Sequence, residues 1–95
     1  MSAYLIAFAK VKDPARVQEY SSAAGPTVVA AGGAVVTRGK VRSIAGGFSA
    51  DSCLIVKFQD AGALEAWYRS PAYQALIPLR DQVMDPNFLV LEEPA

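Results

Sequence analysis

The 95-residue chain has no histidine and a single cysteine, Cys53. These shortages exclude whole classes of chemistry. A Ser-His or Cys-His catalytic pair cannot be assembled. Zinc and most transition metals lack the ligands they prefer, so no metal site is expected. One cysteine also rules out an intramolecular disulfide. Its neighbours Leu54 and Ile55 set it in an apolar strand, where a thiol with no activator is an inert core group. An excess of charge of one sign is missing too. Nine basic and nine acidic residues cancel, which leaves no positive field for nucleic acid or an anionic membrane. No stretch approaches the roughly 18 apolar residues of a membrane span. The start, Met1-Ser2-Ala3, lacks the basic region of a signal peptide. Gly32-Gly33 and Gly46-Gly47 fit neither G-x-G-x-x-G nor the phosphate-binding loop, and turns explain both. The expectation is a cytoplasmic protein with no cofactor and no nucleic-acid or membrane partner.

What the chain has in surplus is apolar surface. Residues of the AVILMFWYC set make up 53%, and with glycine the total exceeds the roughly 45–50% of an ordinary soluble domain. A chain this short has room for one domain, residues 1–95, and buries only about two-thirds of its unfolded surface. Surplus apolar surface on so small a body points to a partner.

Along the chain, Tyr4 to Val11 reads as a strand. Asp13-Pro14 is a helix cap followed by proline at the first helical position. Val17, Tyr20 and Ala24 then recur at helical spacing as far as Gly25. Pro26 restarts a short helical turn that ends at Gly32-Gly33. Ala34 to Arg38 is a second strand with a bend at Gly39-Lys40, and Ser52 to Phe58 a third. Asp60 caps a second helix, Ser70-Pro71 opens another helical segment, and Pro78 kinks or breaks it. Asp85-Pro86 stops the helix, and Phe88 to Glu92 is the last strand. The order is β-α-β-β-α-β, which predicts an α+β, ferredoxin-like fold: a four-stranded antiparallel sheet with two helical segments on one face.

The strands carry the strongest signal. Alternate residues point to opposite faces. Tyr4, Ile6 and Phe8 share one face of the first strand, while Leu5, Ala7, Ala9 and Val11 share the other. Cys53 and Ile55 oppose Leu54, Val56 and Phe58. Leu89 and Leu91 oppose Phe88 and Val90. Helices can cover one face only, and a sheet of this kind normally leaves the other polar. Here the second face is apolar too, which predicts a homodimer packed sheet against sheet.

Two stretches carry a family likeness. Ala23-Ala24-Gly25-Pro26-Thr27, Gly32-Gly33 and Thr37-Arg38-Gly39-Lys40 form the first. The second is Ala66-Trp67-Tyr68-Arg69-Ser70-Pro71-Ala72-Tyr73-Gln74-Ala75-Leu76-Ile77-Pro78-Leu79-Arg80. Over about Tyr4 to Glu92 the chain resembles the bacterial family known as domain of unknown function number thirteen-thirty. The resemblance implies a homodimeric α+β barrel. It also implies kinship with a superfamily that includes cofactor-free monooxygenases of quinol-like substrates, muconolactone isomerases, haem-degrading enzymes and stress-response proteins. A fold that serves so many chemistries does not assign one. Many relatives carry histidine or an aromatic residue where this chain has Ala31, so any chemistry supplied there is absent here.

Candidate ligand-binding residues are Arg38, Arg80, Tyr73, Trp67 and Tyr20. Each arginine either binds an anionic ligand through its planar fork or forms an ion pair with Asp81, Glu92 or Glu19. Trp67, Tyr68 and Tyr73 either line a pocket between helix and sheet or are core. Tyr20 and Tyr73 carry hydroxyls for a substrate or for a backbone carbonyl. No residue is assigned as catalytic. Three readings stay open: a cofactor-independent enzyme acting on a small aromatic or acidic metabolite, a binding or sensing module without turnover, and a structural interaction protein.

Overall fold

The computed structural model describes residues 1–94. Its elements are β1 (Ala3–Val11), α1 (Val17–Ala30), β2 (Ala34–Lys40), β3 (Ser52–Phe58), α2 (Ala61–Arg69), α3 (Pro71–Gln74), α4 (Ile77–Val83) and β4 (Met84–Glu92). The strands form one antiparallel sheet in the order β2-β3-β1-β4. That order is the ferredoxin-like arrangement expected from the sequence.

Register places the faces. Leu5 stands opposite Val56 and Val90, and Ala7 opposite Leu54 and Phe88. These side chains form the face beneath the helices. There Leu5, Val56 and Phe58 are buried together with Tyr20, Val28, Leu64, Trp67, Tyr73 and Val83. Ile6 pairs across with Ile55 and Leu89, and Tyr4 with Leu91, so a second apolar set occupies the opposite face. Among the described residues, no helix covers that face. Leu89 and Leu91 are each 55% exposed on it.

The helices differ from expectation at two points. α1 does not stop at Gly25 but runs through Gly25-Pro26 to Ala30. Proline normally disfavours helix in the residue before it, largely by a clash with that residue's Cβ. Gly25 has no Cβ, so the helix survives the missing Pro26 donor while Ala24 and Val28 are buried on either side. Nor is Asp13 the cap. The Asp13 carbonyl accepts from the Arg16 N–H at 3.1 Å in a turn, and α1 opens one turn later at Val17 without a side-chain cap. Gly32 then ends α1 at φ +83°, a left-handed geometry that suits glycine.

Two strands are longer than expected. β2 passes straight through Gly39-Lys40, and its irregularity is instead a register shift between Val35 and Thr37. β4 begins at Met84, with Asp85 and Pro86 paired to Lys10 and Ala9. Proline is tolerated there because β4 is an edge strand and its unpaired side needs no N–H. The loop from β2 to β3 is fastened by Asp51, whose carboxylate accepts from the Val11 N–H at 2.7 Å.

Candidate functional site

Local signals in the second half of the chain aim one arginine into the fold. Asp60 Oδ1 accepts from the Ala63 N–H at 2.8 Å and caps α2. Ser70 Oγ accepts from the Tyr73 N–H and starts α3, with Pro71 in its first turn. α3 ends at Gln74, and α4 begins at Ile77 with Pro78 in its first turn. The break turns α4 toward β4, so Arg80 points into the layer between helices and sheet. Arg80 is the one buried charged residue among the described residues, at 8% exposure.

A cleft of about 410 Å³ opens beside it, within the usual size range of small-molecule sites. Leu64, Glu65, Tyr68 and Arg69 of α2 form one wall. Leu5, Pro86, Phe88 and Val90 of the sheet form the floor, and Arg80 closes the inner end. The Arg80 guanidinium carbon lies 5.3 Å from the centre of the Phe88 ring and 6.0 Å from that of Tyr68, a cation–π arrangement. The interior is thus aromatic walls around one fixed positive charge, with the exposed Glu65 and Arg69 at the rim.

Hydrogen bonds hold the arginine from behind. Its Nε donates to Asp81 Oδ1 at 3.0 Å, and Nη1 donates to the hydroxyls of Tyr68 at 3.1 Å and Tyr73 at 3.3 Å. The Tyr73 hydroxyl pairs in turn with that of Tyr20 at 2.7 Å. Nη2 has no protein acceptor among the described residues, so its two N–H groups are uncommitted. Burial alone lowers the Arg80 pKa. The bonds to Tyr68, Tyr73 and Asp81 outweigh that, the net shift is upward, and the guanidinium stays charged. Burial raises the Tyr20 hydroxyl far above its ordinary range, with the bond to Tyr73 adding to it. Tyr73 is also raised by burial, against the opposing pull of its bonds to Tyr20 and Arg80. Both hydroxyls therefore stay neutral.

The five sequence candidates separate cleanly. Arg80 lines the cleft and also makes the ion pair with Asp81 that was its alternative. Tyr73 and Tyr20 sit behind it, buried, and position the guanidinium without facing the cleft. Trp67 is core at 3% exposure, its indole N–H donating to Thr27 Oγ1 at 3.0 Å. Arg38 lies on β2, at the opposite edge of the sheet, exposed and without an ion-pair partner among the described residues. Sequence reasoning did not single out Phe88 for the site, and it gave Tyr68 no more weight than its neighbours. Alternation put Phe88 on the helix-facing side of its strand, but only the position of α4 brings it under Arg80.

Such an arrangement suits a negative oxygen on a flat apolar body. Tyr68 accepts from Arg80, so its own proton is free to point at a ligand. Nη2 and the Tyr68 hydroxyl are then a charged and a neutral donor on neighbouring groups.

Comparison with curated proteins gives no match. Among solved structures, a protein of unknown function from Rhodopseudomonas palustris superposes with TM-score 0.79 at 18% identity, over 99% of this chain and 83% of that one. SnoaB, a cofactor-independent oxygenase from Streptomyces nogalater, is similar with TM-score 0.70 at 10% identity, over 99% and 94%. A dimeric ferredoxin-like protein of unknown function from Thermobifida fusca has TM-score 0.67 at 17% identity, over 98% and 92%. Likeness at these identities establishes the fold. The family is established separately: a family model described as Domain of unknown function (DUF1330) matches residues 2–94, and the chain belongs to that family.

Proposed function

We propose that the protein is a homodimer, packed sheet face to sheet face, whose subunits each bind a small aromatic acid or hydroxy-aromatic compound in the Arg80 cleft. We further propose that it acts on this compound as a cofactor-independent enzyme. The observation that carries the reading is Arg80 itself: a buried guanidinium, stacked on Phe88, braced by two tyrosines, with Nη2 uncommitted. Such a group is costly to bury without an anion; the half-exposed Asp81 pairs with Nε at 3.0 Å and leaves Nη2 without one. In the bound state, Nη2 and the Tyr68 hydroxyl stabilise negative charge on a phenolate, enolate or carboxylate oxygen. If that charge grows during reaction, the same donors lower the barrier. Likeness to a cofactor-independent oxygenase supports the enzyme reading, and likeness to dimeric ferredoxin-like proteins supports the dimer. The open face, with Tyr4, Ile6, Ile55, Leu89 and Leu91 in register, is the surface such a dimer would cover.

The test is a thermal-shift screen of the purified protein against small phenols, quinols and carboxylates, with Arg80→Ala alongside. A ligand at about a hundred times its dissociation constant adds roughly 2.7 kcal/mol. The expected result is a hit among aromatic acids or hydroxy-aromatics that the variant loses. Turnover of that hit, followed by product analysis, then separates an enzyme from a binding module. A flat response across the panel contradicts the cleft's role.

A further inference from the structure

The geometry points to one kind of ligand: an α-amino acid whose aromatic side chain carries a hydroxyl. The ring oxygen lies at Arg80, and the amino-acid head is held at the rim between Glu65 and Arg69. This rests on the Arg80 cleft proposed above and is independent of the dimer.

Helix α2 presents two rows to the cleft. Residues four apart stack along a helix with Cβ atoms roughly 5–6 Å apart, and neighbours in sequence lie about 100° round the axis. Leu64 and Tyr68 form one row, Glu65 and Arg69 the next, and all four line the cleft. The first row is the inner one: Leu64 is buried, and the half-buried Tyr68 reaches Arg80 through its hydroxyl. The second row is exposed and forms the rim. The cleft is therefore graded. One charge stands at its inner end, apolar walls lie between, and two charges of opposite sign stand at the mouth.

The two rim charges are uncommitted. An acid four residues before a base is the spacing at which a helix readily joins them. Here neither Glu65 nor Arg69 takes part in an ion pair among the described residues. A purely anionic ligand would meet Glu65 at the mouth, and a cationic one would meet Arg69 there and Arg80 within. A zwitterionic head suits both: its carboxylate goes to Arg69 and its ammonium to Glu65. The two groups of an α-amino acid hang from one carbon, so both fall within one short stretch of rim.

With the head at the rim, the side chain points inward past Leu5, Leu64 and Phe88, walls that suit a flat apolar ring. At the inner end Arg80 Nη2 and the Tyr68 hydroxyl are donors, so the group that meets them is an oxygen. A hydroxyl on the ring supplies it. Exposed ion pairs are individually weak, so the rim contributes selectivity among aromatic ligands more than strength.

The experiment is a calorimetric titration with three probes. They are L-tyrosine, 3-(4-hydroxyphenyl)propionate, which lacks the ammonium, and tyramine, which lacks the carboxylate. Wild type should bind L-tyrosine at one site per subunit, and each truncated probe about three- to fivefold more weakly. Glu65→Gln should weaken L-tyrosine and tyramine by that factor and leave the propionate no weaker. Arg69→Gln should weaken L-tyrosine and the propionate and leave tyramine no weaker. Both positions are exposed, so both variants keep the fold. Arg80→Gln should weaken all three probes about tenfold. A propionate that binds as tightly as L-tyrosine, or rim variants that bind every probe as wild type does, overturns the rim assignment. If Arg80→Gln still loses the propionate, the cleft itself stands. Failure of wild type to bind L-tyrosine also overturns the rim assignment. Probe affinities unchanged in Arg80→Gln overturn the cleft reading, and the rim assignment with it.

Discussion

The Tyr73 hydroxyl lies 3.3 Å from Arg80 Nη1, wholly buried behind the cleft. It accepts from the guanidinium and bonds to Tyr20, so a charge on one helix is anchored to α1 through two phenols. Tyr73→Phe removes the middle of this chain. The variant should lose about 1–3 kcal/mol, because the Tyr20 hydroxyl is left buried without its partner. Ligand affinity should fall as well, since Arg80 is no longer fixed from behind. Urea unfolding and a ligand titration check the two effects separately.

The same pair sets a limit in alkali. Burial holds the pKa values of Tyr20 and Tyr73 above the ordinary 10.0. Their contribution to stability is fully present below about pH 10. As pH rises further, the unfolded chain releases phenol protons that the folded chain retains, so folding weakens by up to about 1.4 kcal/mol per tyrosine per pH unit. The urea midpoint should hold steady from about pH 8 to 9.5 and drop by about pH 11, with a shallower drop in Tyr20→Phe. A midpoint unchanged through this range would show that neither phenol is protected.

Gly33 leaves no room for a methyl group. An added Cβ would stand 2.7 Å from Val28 Cγ1 and 3.0 Å from two carbons of the Phe58 ring. Phe58 is fully buried and has nowhere to retreat. Gly33→Ala should therefore cost about 1–3 kcal/mol, an overpacking penalty seen as a lower melting temperature. A variant as stable as wild type would mean that α1 can slide away from the sheet.

Ile55 tests the open face. It pairs with Ile6 and Thr37 at the centre of the uncovered side. Ile55→Asp places a charge where a second copy is proposed to pack, so dimerisation and stability should fall together, read by light scattering and thermal melting. A variant of dimeric mass with wild-type stability would remove this face from the interface. A stable monomer would show that the surplus apolar surface needs no partner.

How much of this could be read from the chain depends on the range of each interaction. Asp60 and Ser70 were legible because a cap is a bond between residues three apart. The two apolar faces were legible because strand periodicity is local. Gly25-Pro26 misled, because the local stop signal is overridden once Ala24 and Val28 are both buried. Pro86 misled in the opposite sense: its place in a strand depends on β4 being an edge, which is a property of the whole sheet. The site lies further from view. Tyr20 and Tyr73 are fifty-three residues apart, and nothing in either neighbourhood announces their hydrogen bond. The separation of Arg38 from Arg80 follows from strand order, since β2 and β4 are the two edges.

The most direct measurement is a calorimetric titration of wild type and Arg80→Ala with 1-hydroxy-2-naphthoate near neutral pH. Wild type should give a saturable heat with one site per subunit, and the variant should bind about tenfold more weakly or not at all, the loss expected for a charge-assisted bond. No saturable heat in wild type, or equal affinity in the variant, would contradict the claim that Arg80 and its cleft form the binding site.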